Sequence, residues 1–445
     1  MSAAGGGPDS PVWALRSLFA WLALVAGVLL PLPGADAVAA LAVTTAMLLG
    51  WRDLRPVARM LLVLMLLAAL AAALLEPQAL REGVRNMAIL TALIISVILL
   101  SAVLSRSRDL ASLSSSLFAG RSLTRYYSLT FGTAFLSIPL NFGAVGVVAA
   151  LVADRINGRG HSAGTRNAAR ATLRGFAAAP LCSPLSISVA VVLTFLPGLE
   201  GWQLIGMGLP VAVLFLLAGA LFREPEAGEP APAEEVVAGA GPWLRFTGLI
   251  GVICAGTLAL SAGAGLSYPR AVTLSCLSVV VLGLAWGAWR GERPAPPSLA
   301  PASNELVIVG ASAFLGALVS ALAEHHLGAG LALPGWGYPL AALLVPWVFY
   351  AAGMMGFNPI LTGTLVGALL GPIWPPSAIQ ALGLSMVCGW AMTGVGTPYA
   401  ANVLLLERFT GYPAWRTAAV WNRTLAITVM VAGGLLAALL TLLLA

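Results

Sequence analysis

Long apolar stretches separated by short polar ones make up most of the chain. A helix that crosses the hydrocarbon core of a bilayer needs about 20 mainly apolar residues. Eleven stretches approach or exceed this length: 13–31, 36–50, 59–75, 87–104, 173–196, 203–222, 243–262, 270–290, 304–323, 378–406 and 417–444. The pattern therefore predicts an all-α polytopic membrane protein with about eleven transmembrane helices.

Two further apolar segments do not fit a single crossing of the membrane. The first, residues 126–153, lies between two groups of arginines, and because cytoplasmic loops collect positive charge, both of its ends are expected in the cytoplasm. Its 28 residues are too few for two crossings. Its middle, from Ile138 to Gly143, contains proline and glycine, which break helices. We predict a re-entrant helical hairpin that returns to its own side.

The second segment, residues 338–371, follows a loop at 324–326 that is expected outside the cell, and it precedes a span that leads to further arginines. Its centre, from Gly353 to Pro359, again places an asparagine beside glycine and proline. A second re-entrant hairpin, open to the outside, is predicted here. Non-helical backbone at membrane depth is tolerated only where protein or water surrounds it, so both hairpin tips are candidate sites.

Each predicted hairpin is followed by an apolar span that is interrupted in its middle. These broken helices are predicted at 173–196, with a break at Ser183-Pro184, and at 378–406, with a break at Thr397-Pro398. Thr397 follows Ser183 by 214 positions, and the tip asparagines of the two hairpins are 217 positions apart. Because the hairpins open to opposite sides, the halves are predicted to be inverted copies. Broken helices at matching positions of inverted halves indicate a transporter site near the middle of the membrane.

The repeat divides the chain into four parts: a leading helix (1–35), a first inverted repeat (36–222), a cytoplasmic linker (223–242) and a second inverted repeat (243–445). The linker carries several glutamates among prolines and alanines, which is typical of a solvated connector. This topology predicts a cytoplasmic N-terminus and a periplasmic C-terminus. Ala35-Asp36-Ala37 could pass for a signal-peptide cleavage site, but no basic region precedes the first apolar run, so an uncleaved first span is favoured.

Composition excludes several classes of protein. Apolar residues make up 59% of the chain and charged residues 9%, which excludes a water-soluble enzyme and leaves no charge dense enough for nucleic acid. All 23 cationic residues are arginine, a bias expected of a GC-rich bacterial genome, so the predicted location is a bacterial inner membrane. The four cysteines lie in apolar stretches and are expected to act as small hydrophobic residues rather than as disulfides.

One leading helix, followed twice by three helices, a re-entrant hairpin, a broken helix and a closing helix, resembles the ion transporter superfamily, including the divalent anion/sodium symporters. The resemblance covers the architecture of essentially the whole chain but only short motifs. In those symporters each hairpin tip carries a Ser-Asn-Thr motif that contacts substrate and helps to form a sodium site. Here Leu140-Asn141-Phe142 and Phe357-Asn358-Pro359 keep only the asparagine. The resemblance implies an elevator-type secondary transporter that works as a homodimer, with a mobile transport domain and a static scaffold domain.

The four interruptions supply oxygen atoms that could replace the water around an ion. Asn141, Ser183, Asn358 and Thr397 stand at these interruptions and are candidate sodium or substrate ligands. The alternative reading is that they cap the hairpins and bridge the helix breaks. The full set predicted to bind substrate or ion is Asn141, Phe142, Gly143, Ser183, Asn358, Thr362, Thr393, Gly394, Gly396 and Thr397. Weaker candidates, for which a structural role is the alternative, are Ser186, Ser188, Thr364, Tyr399 and Asn402.

The absence of acidic residues from the predicted midplane bears on the identity of the coupling ion. No Asp or Glu stands there in either half, whereas proton-coupled transporters commonly use an intramembrane carboxylate, so sodium is the expected coupling ion. Helix N-termini could hold an anionic substrate without a buried arginine, although neutral and zwitterionic substrates stay open. The sequence thus predicts sodium-coupled uptake of a small organic anion, with no cofactor other than sodium.

Other functions stay open at this point. The large membrane subunit of a transporter that depends on a periplasmic binding protein, an exporter of the same superfamily and a passive channel share parts of this pattern. An intramembrane enzyme is disfavoured, because His161 and the pair His325-His326 lie in loops on opposite sides and no HExxH or GxSxG motif occurs. The expected partners are a small-molecule substrate, membrane lipid and a second copy of the chain, without nucleic acid.

Overall fold

The computed structural model describes residues 10–29, 32–226, 239–291, 296–327 and 332–445. The middle of the predicted linker lies outside these described residues, as do the side chains of Glu324 and His326. The described residues form no β-strand, and their α-helices are α1 (Pro11–Leu24), α2 (Ala35–Leu49), α3 (Pro56–Leu75), α4 (Pro77–Leu104), α5 (Arg108–Ser116), α6 (Ser122–Leu140), α7 (Phe142–Arg159), α8 (Ala163–Cys182), α9 (Ile187–Phe195), α10 (Gly201–Gly219), α11 (Ala240–Leu258), α12 (Tyr268–Trp289), α13 (Ser303–Leu327), α14 (Gly337–Met354), α15 (Pro359–Leu370), α16 (Ile379–Gly396), α17 (Ala401–Thr410) and α18 (Arg423–Leu444).

Eleven helical segments of the described chain are long and apolar enough to cross a membrane. The all-α polytopic fold is therefore confirmed, with the expected number of spans, but one member of the set differs. Helix α2 has only 15 residues, a rise of about 22 Å, which is less than the roughly 30 Å of a hydrocarbon core. Helix α14, with 18 residues, takes its place in the count, although the sequence assigned it to a hairpin.

Each segment predicted to form a hairpin contains a pair of helices joined by a short turn. Helices α6 and α7 meet at Asn141, and α14 and α15 are joined by residues 355–358. The first hairpin extends beyond both ends of the predicted segment 126–153, to Ser122 and to Arg159, because polar residues at each outer end continue the helices. Entry and return of these hairpins on one side of a membrane stays a prediction.

Both predicted broken helices also contain a break. Residues 183–186 separate α8 from α9, and residues 397–400 separate α16 from α17. Pro184 and Pro398 stand at the second position of each break, where the missing N–H of proline prevents the helix from continuing. Helix α8 begins at Ala163, ten positions before the predicted start at 173, because Ser162 and Thr165 form a capping box there.

The hairpins and broken helices interlock. Each hairpin's first arm packs against the first half of its own broken helix (α6 on α8, α14 on α16), and its second arm packs against the second half of the other broken helix (α7 on α17, α15 on α9). The two first halves, α8 and α16, also contact each other. Helices α4 and α13 form a further closely packed pair, which is flanked by α12 and α3.

Two glutamates fix the start of the predicted linker to the arginine-rich ends of the helices. The Glu224 carboxylate accepts hydrogen bonds from Arg166 Nε at 2.6 Å and from Arg170 Nη2 at 2.7 Å, and Glu226 pairs with Arg125. Burial acts to raise the pKa of Glu224, but the hydrogen bonds and charges of the two arginines outweigh it and hold that pKa below its usual value. The prediction of a solvated connector therefore applies only to the part of the linker that follows Glu226.

Candidate functional site

The two breaks repeat the same backbone geometry at positions 214 residues apart. The Ser183 N–H donates to the Ala179 carbonyl at 2.8 Å, and the Thr397 N–H donates to the Thr393 carbonyl at 3.3 Å. Both residues are extended, with φ and ψ of −76° and 124° at Ser183 and of −115° and 138° at Thr397. Each chain segment thus leaves its first half-helix in the same way.

A polar side chain bridges each break, again at equivalent positions. Ser188 Oγ donates to the Pro180 carbonyl at 2.8 Å, and Asn402 Nδ2 donates to the Gly394 carbonyl at 2.8 Å, each reaching back eight positions. Ser188 and Asn402 were weaker candidates for ligands, and these contacts give both of them the structural role that was the alternative. Because the bond types and spacing match, the two broken helices are built alike.

The first arm of each hairpin lies beside its broken helix with the same register. In the second half, Ser385 Oγ donates to the Ala342 carbonyl 43 positions earlier. In the first half, a side chain on Gly175 would meet Thr130 and Ala134, which stand 45 and 41 positions earlier. If the same register continues to the ends of the two helices, the end of α6 lies level with Ser183.

The second hairpin tip contacts its break directly. A Cβ added to Gly353 would lie 2.4 Å from Thr393 Cγ2 and 3.0 Å from Thr397 Cγ2. The Tyr350 hydroxyl donates to the Gly396 carbonyl at 3.1 Å. Three of the predicted site residues, Thr393, Gly396 and Thr397, are therefore brought together against the end of α14.

The second arms show that all four interruptions lie at one level. Helices α7 and α17 run parallel, because Gly146 lies near Leu405 close to their starts and His161 packs on Tyr412 at 4.9 Å just beyond their ends. In the other pair, Phe195, the last residue of α9, lies against Gly367 near the end of α15, so these two ends match in the same way, and the two helices contact each other.

Eight helix ends consequently meet in this region, which we call the convergence zone. It contains the N-terminal ends of α7, α9, α15 and α17 and the C-terminal ends of α6, α8, α14 and α16. Free N–H groups at N-termini carry partial positive charge, and free carbonyls at C-termini carry partial negative charge. The zone therefore offers groups for an anion and groups for a cation at the same depth.

The two tips differ in length, which explains the unequal offsets in the sequence. The first arms, α6 and α14, end 214 positions apart at Leu140 and Met354, whereas the second arms begin 217 positions apart at Phe142 and Pro359. The second tip thus has three more residues than the first. Its longer turn contains Gly356 at a φ of 89°, a conformation that glycine adopts without strain.

Asn141 alone forms the first tip, and its backbone is strained. Its φ of 49° and ψ of −125° are close to the first central position of a type II′ turn, which glycine favours. Among the described non-glycine residues it is the one with positive φ. Its side chain caps no helix and makes no hydrogen bond to any residue that the structure describes. The amide is therefore free for a ligand.

Asn358 uses its amide differently. Its side-chain oxygen accepts a hydrogen bond from the Ile360 N–H at 2.8 Å and caps α15, so the capping alternative is realised at this tip. Thr362, one turn into α15, is buried. Ser183 Oγ accepts from the Leu185 N–H at 3.3 Å, and Thr397 Oγ1 donates to the Thr393 carbonyl at 2.8 Å. Both hydroxyl oxygens keep lone pairs for a cation.

Aromatic side chains flank the tips. Phe142 stacks on Phe176 of α8 with ring centroids 5.2 Å apart. Phe142, Phe357 and Tyr399 are 38%, 37% and 58% exposed, so these rings line the approaches to the tips rather than the protein core. Gly143 lies next to Ser101 Oγ, and Gly394 faces open space.

Sequence reasoning missed three residues near the zone. Ser101 Oγ donates to the Leu140 carbonyl at 3.2 Å and so ties the first tip to α4, while Tyr350 holds the second break. Arg423 lies one turn before Ala426, which packs against Gly396. A serine inside an apolar span and an arginine at the start of the last span were the available signals.

The contact between tip and break leads to a first prediction. Gly353→Ala should lower the stability of the protein by about 1–3 kcal/mol, because the new methyl group would overlap Thr393. Gly394→Ala is the matched control, since it is also helical but its added methyl would meet nothing within 4 Å. The midpoints of thermal unfolding in detergent, followed by tryptophan fluorescence, compare the two. Equal midpoints would contradict the close packing of α14 on α16.

Comparisons with known proteins give a likeness in structure rather than in sequence. No family model and no curated protein matches the sequence. Among solved structures, the chain is similar to the Alcanivorax borkumensis YdaH transporter, which is described as having an unusual topology. The two share 17% identity over 78% of this chain and 84% of that chain, with a TM-score of 0.42. Membership of the ion transporter superfamily therefore stays a prediction.

Proposed function

We propose that the protein is a sodium-coupled secondary transporter that takes up a small organic anion. The observation that carries this proposal is the convergence zone, where four helix N-termini and four helix C-termini lie at one depth between two interlocked hairpins and broken helices. Broken helices that meet inside a membrane protein expose backbone groups where no lipid can reach, and such groups bind substrates and ions in transporters.

The chemistry of the zone supports an anion together with a sodium ion. The N–H groups that remain unpaired in the first turns of α7, α9, α15 and α17 would favour a carboxylate; the Ile360 and Ser188 N–H groups are already capped by Asn358 and Ser186. Carbonyl groups at the preceding C-termini, with the Asn141 amide and the Ser183 and Thr397 hydroxyls, are the neutral oxygen ligands that a sodium ion needs. The residues that form the tips and breaks include no Asp or Glu, which favours sodium over a proton.

The packing also supports an elevator mechanism. The arms and broken helices contact one another across both halves, so they could move as one transport domain against the pair formed by α4 and α13. In this proposal the arginine-rich first turns of α6 and α8 face the cytoplasm, the halves are inverted repeats, and two copies form the functional dimer. Each net positive charge that enters would gain about 2.3 kcal/mol per 100 mV.

A ligand screen on purified protein tests the proposal. We expect one compound from a panel of mono-, di- and tricarboxylates and amino acids to raise the thermal midpoint in sodium but not in choline, because a ligand that binds only the folded state stabilises it by about 2.7 kcal/mol at 100 times its Kd. The same compound should accumulate in proteoliposomes under an inward sodium gradient.

A matched pair of threonines makes the test specific. Thr397→Val and Thr428→Val each remove a hydroxyl that bonds a carbonyl four positions earlier, at 2.8 and 2.9 Å, but Thr428 is exposed on α18 and belongs to none of the tips or breaks. Only Thr397→Val should lose the sodium dependence. Stabilisation that is identical in choline would reject sodium coupling. Uptake that requires an added periplasmic binding protein would instead indicate the binding-protein-dependent transporter.

A further inference from the structure

We propose that Arg52, Arg55 and Arg59 form a binding site for the phosphate of an anionic phospholipid, with one acyl chain lying along the exposed face of α3. The site is distant in the chain from the convergence zone, and it does not depend on the proposed function. Four observations support it: a fixed turn, a carboxylate that is paired with a buried arginine, exposed guanidinium groups and an adjoining apolar groove.

The turn before α3 is held rigidly to the start of α13. Asn304 accepts a hydrogen bond from the Arg55 N–H through its side-chain oxygen at 2.8 Å and donates through Nδ2 to the Asp53 carbonyl at 3.2 Å. Arg59 adds hydrogen bonds from Nε to the Trp51 carbonyl at 3.2 Å and from Nη2 to the Arg52 carbonyl at 3.0 Å. A ligand would therefore meet a preorganised backbone.

The acidic residue of this turn is engaged elsewhere. The Asp53 carboxylate pairs with Nη1 of Arg16 at 2.5 Å, and the Arg16 side chain is only 6% exposed. Nη2 of Arg16 also donates to the Ala300 carbonyl at 2.8 Å and to Ser303 Oγ at 2.7 Å. The negative charge nearest in sequence to the three arginines is thus neutralised from the protein interior.

The arginines themselves are available to a ligand. Arg52 and Arg55 are exposed, and their guanidinium groups contact no carboxylate among the residues that the structure describes. Arg59 keeps Nη1 unbonded within the same part of the chain. Guanidinium groups bind phosphate through paired N–H donors, and three of them occur within eight positions.

An apolar groove of about 370 Å³ starts at this cluster. Its lining runs from Trp51 and Arg59 along one face of α3 through Met60, Val63, Leu64 and Leu67, and Met60 and Leu67 are 52% and 60% exposed. The Trp51 ring lies 5.9 Å from the Arg59 guanidinium, and tryptophan is typical of the membrane interface. Positive charge at one end and an apolar surface beyond it match the two parts of an anionic phospholipid.

Native mass spectrometry of the full chain tests the site. With phosphatidylglycerol, the wild-type protein should keep bound lipid at least tenfold more than with phosphatidylcholine. Replacing Arg52 and Arg55 by glutamine should abolish that preference while leaving Arg59 to hold the turn. The matched control replaces Arg408 and Arg416, which are also exposed and do not line this groove; it should keep the preference.

A second arm separates the phospholipid from other occupants. Leu64→Asn with Leu67→Asn should weaken phosphatidylglycerol binding about tenfold, because the acyl chain loses its apolar contact. Inorganic phosphate should not displace the lipid at millimolar concentration. Three results would each overturn the proposal. The first is an equal loss of lipid preference in the Arg408/Arg416 control, and the second is displacement of the lipid by phosphate. The third is cross-linking between two copies through Val63 in the absence of lipid, which would show that a second copy covers the groove.

Discussion

Arg174→Met is expected to lower the free energy of unfolding by about 3–5 kcal/mol. The Arg174 side chain is fully buried, and it donates from Nε to Asn422 Oδ1 at 2.7 Å and from Nη1 to the Tyr126 hydroxyl at 2.7 Å and the Gly219 carbonyl at 2.6 Å. Methionine would leave these acceptors buried without a donor. Because they belong to α6, to the end of α10 and to the start of α18, their loss would loosen the junction of both halves.

Arg166→Met is the control for this prediction. Arg166 lies on the same helix, eight positions earlier, but its side chain is 34% exposed and pairs with Glu224, so its removal should cost about 1 kcal/mol or less. Thermal unfolding in detergent and the elution profile from size-exclusion chromatography give the comparison. If Arg174→Met unfolds at the same temperature as Arg166→Met, the buried guanidinium does not join the two halves.

Asn141→Gly and Asn141→Ala should separate the backbone of the first tip from its side chain. Holding a residue other than glycine at a φ of 49° and ψ of −125° costs about 1–3 kcal/mol. Glycine should therefore raise the thermal midpoint and alanine should lower it. If the amide binds sodium or substrate, both variants should nevertheless lose at least tenfold in sodium-dependent uptake.

The second tip supplies the control, because Asn358 has a capping role as well. Asn358→Ser keeps a side-chain oxygen that can accept the Ile360 N–H, whereas Asn358→Ala should lose about 1 kcal/mol of stability with the cap. Retained uptake in Asn141→Gly would show that the turn, and not the amide, is what the first tip contributes. Retained uptake in both Asn141 variants would remove this tip from the mechanism.

The sequence by itself determined where the helices are interrupted. Proline and glycine act on the backbone within one turn, so the residues around Asn141, Pro184, Asn358 and Pro398 could be recognised as breaks without knowledge of their neighbours. Long apolar runs likewise gave the all-α fold and the number of spans. The equivalence of Ser183 and Thr397 was visible in the same way, because their spacing is a property of the chain.

Tertiary structure alone decided how these interruptions meet and which side chains remain available. Packing of α7 on α17 and of α9 on α15 brings the breaks to one depth, and it depends on contacts between residues far apart in sequence. The same holds for Arg174, whose acceptors come from three other segments, and for the contrast between the free Asn141 amide and the capping Asn358 amide. Identical residues differ here because hydrogen-bond partners and backbone angles are set by packing, which no local pattern encodes.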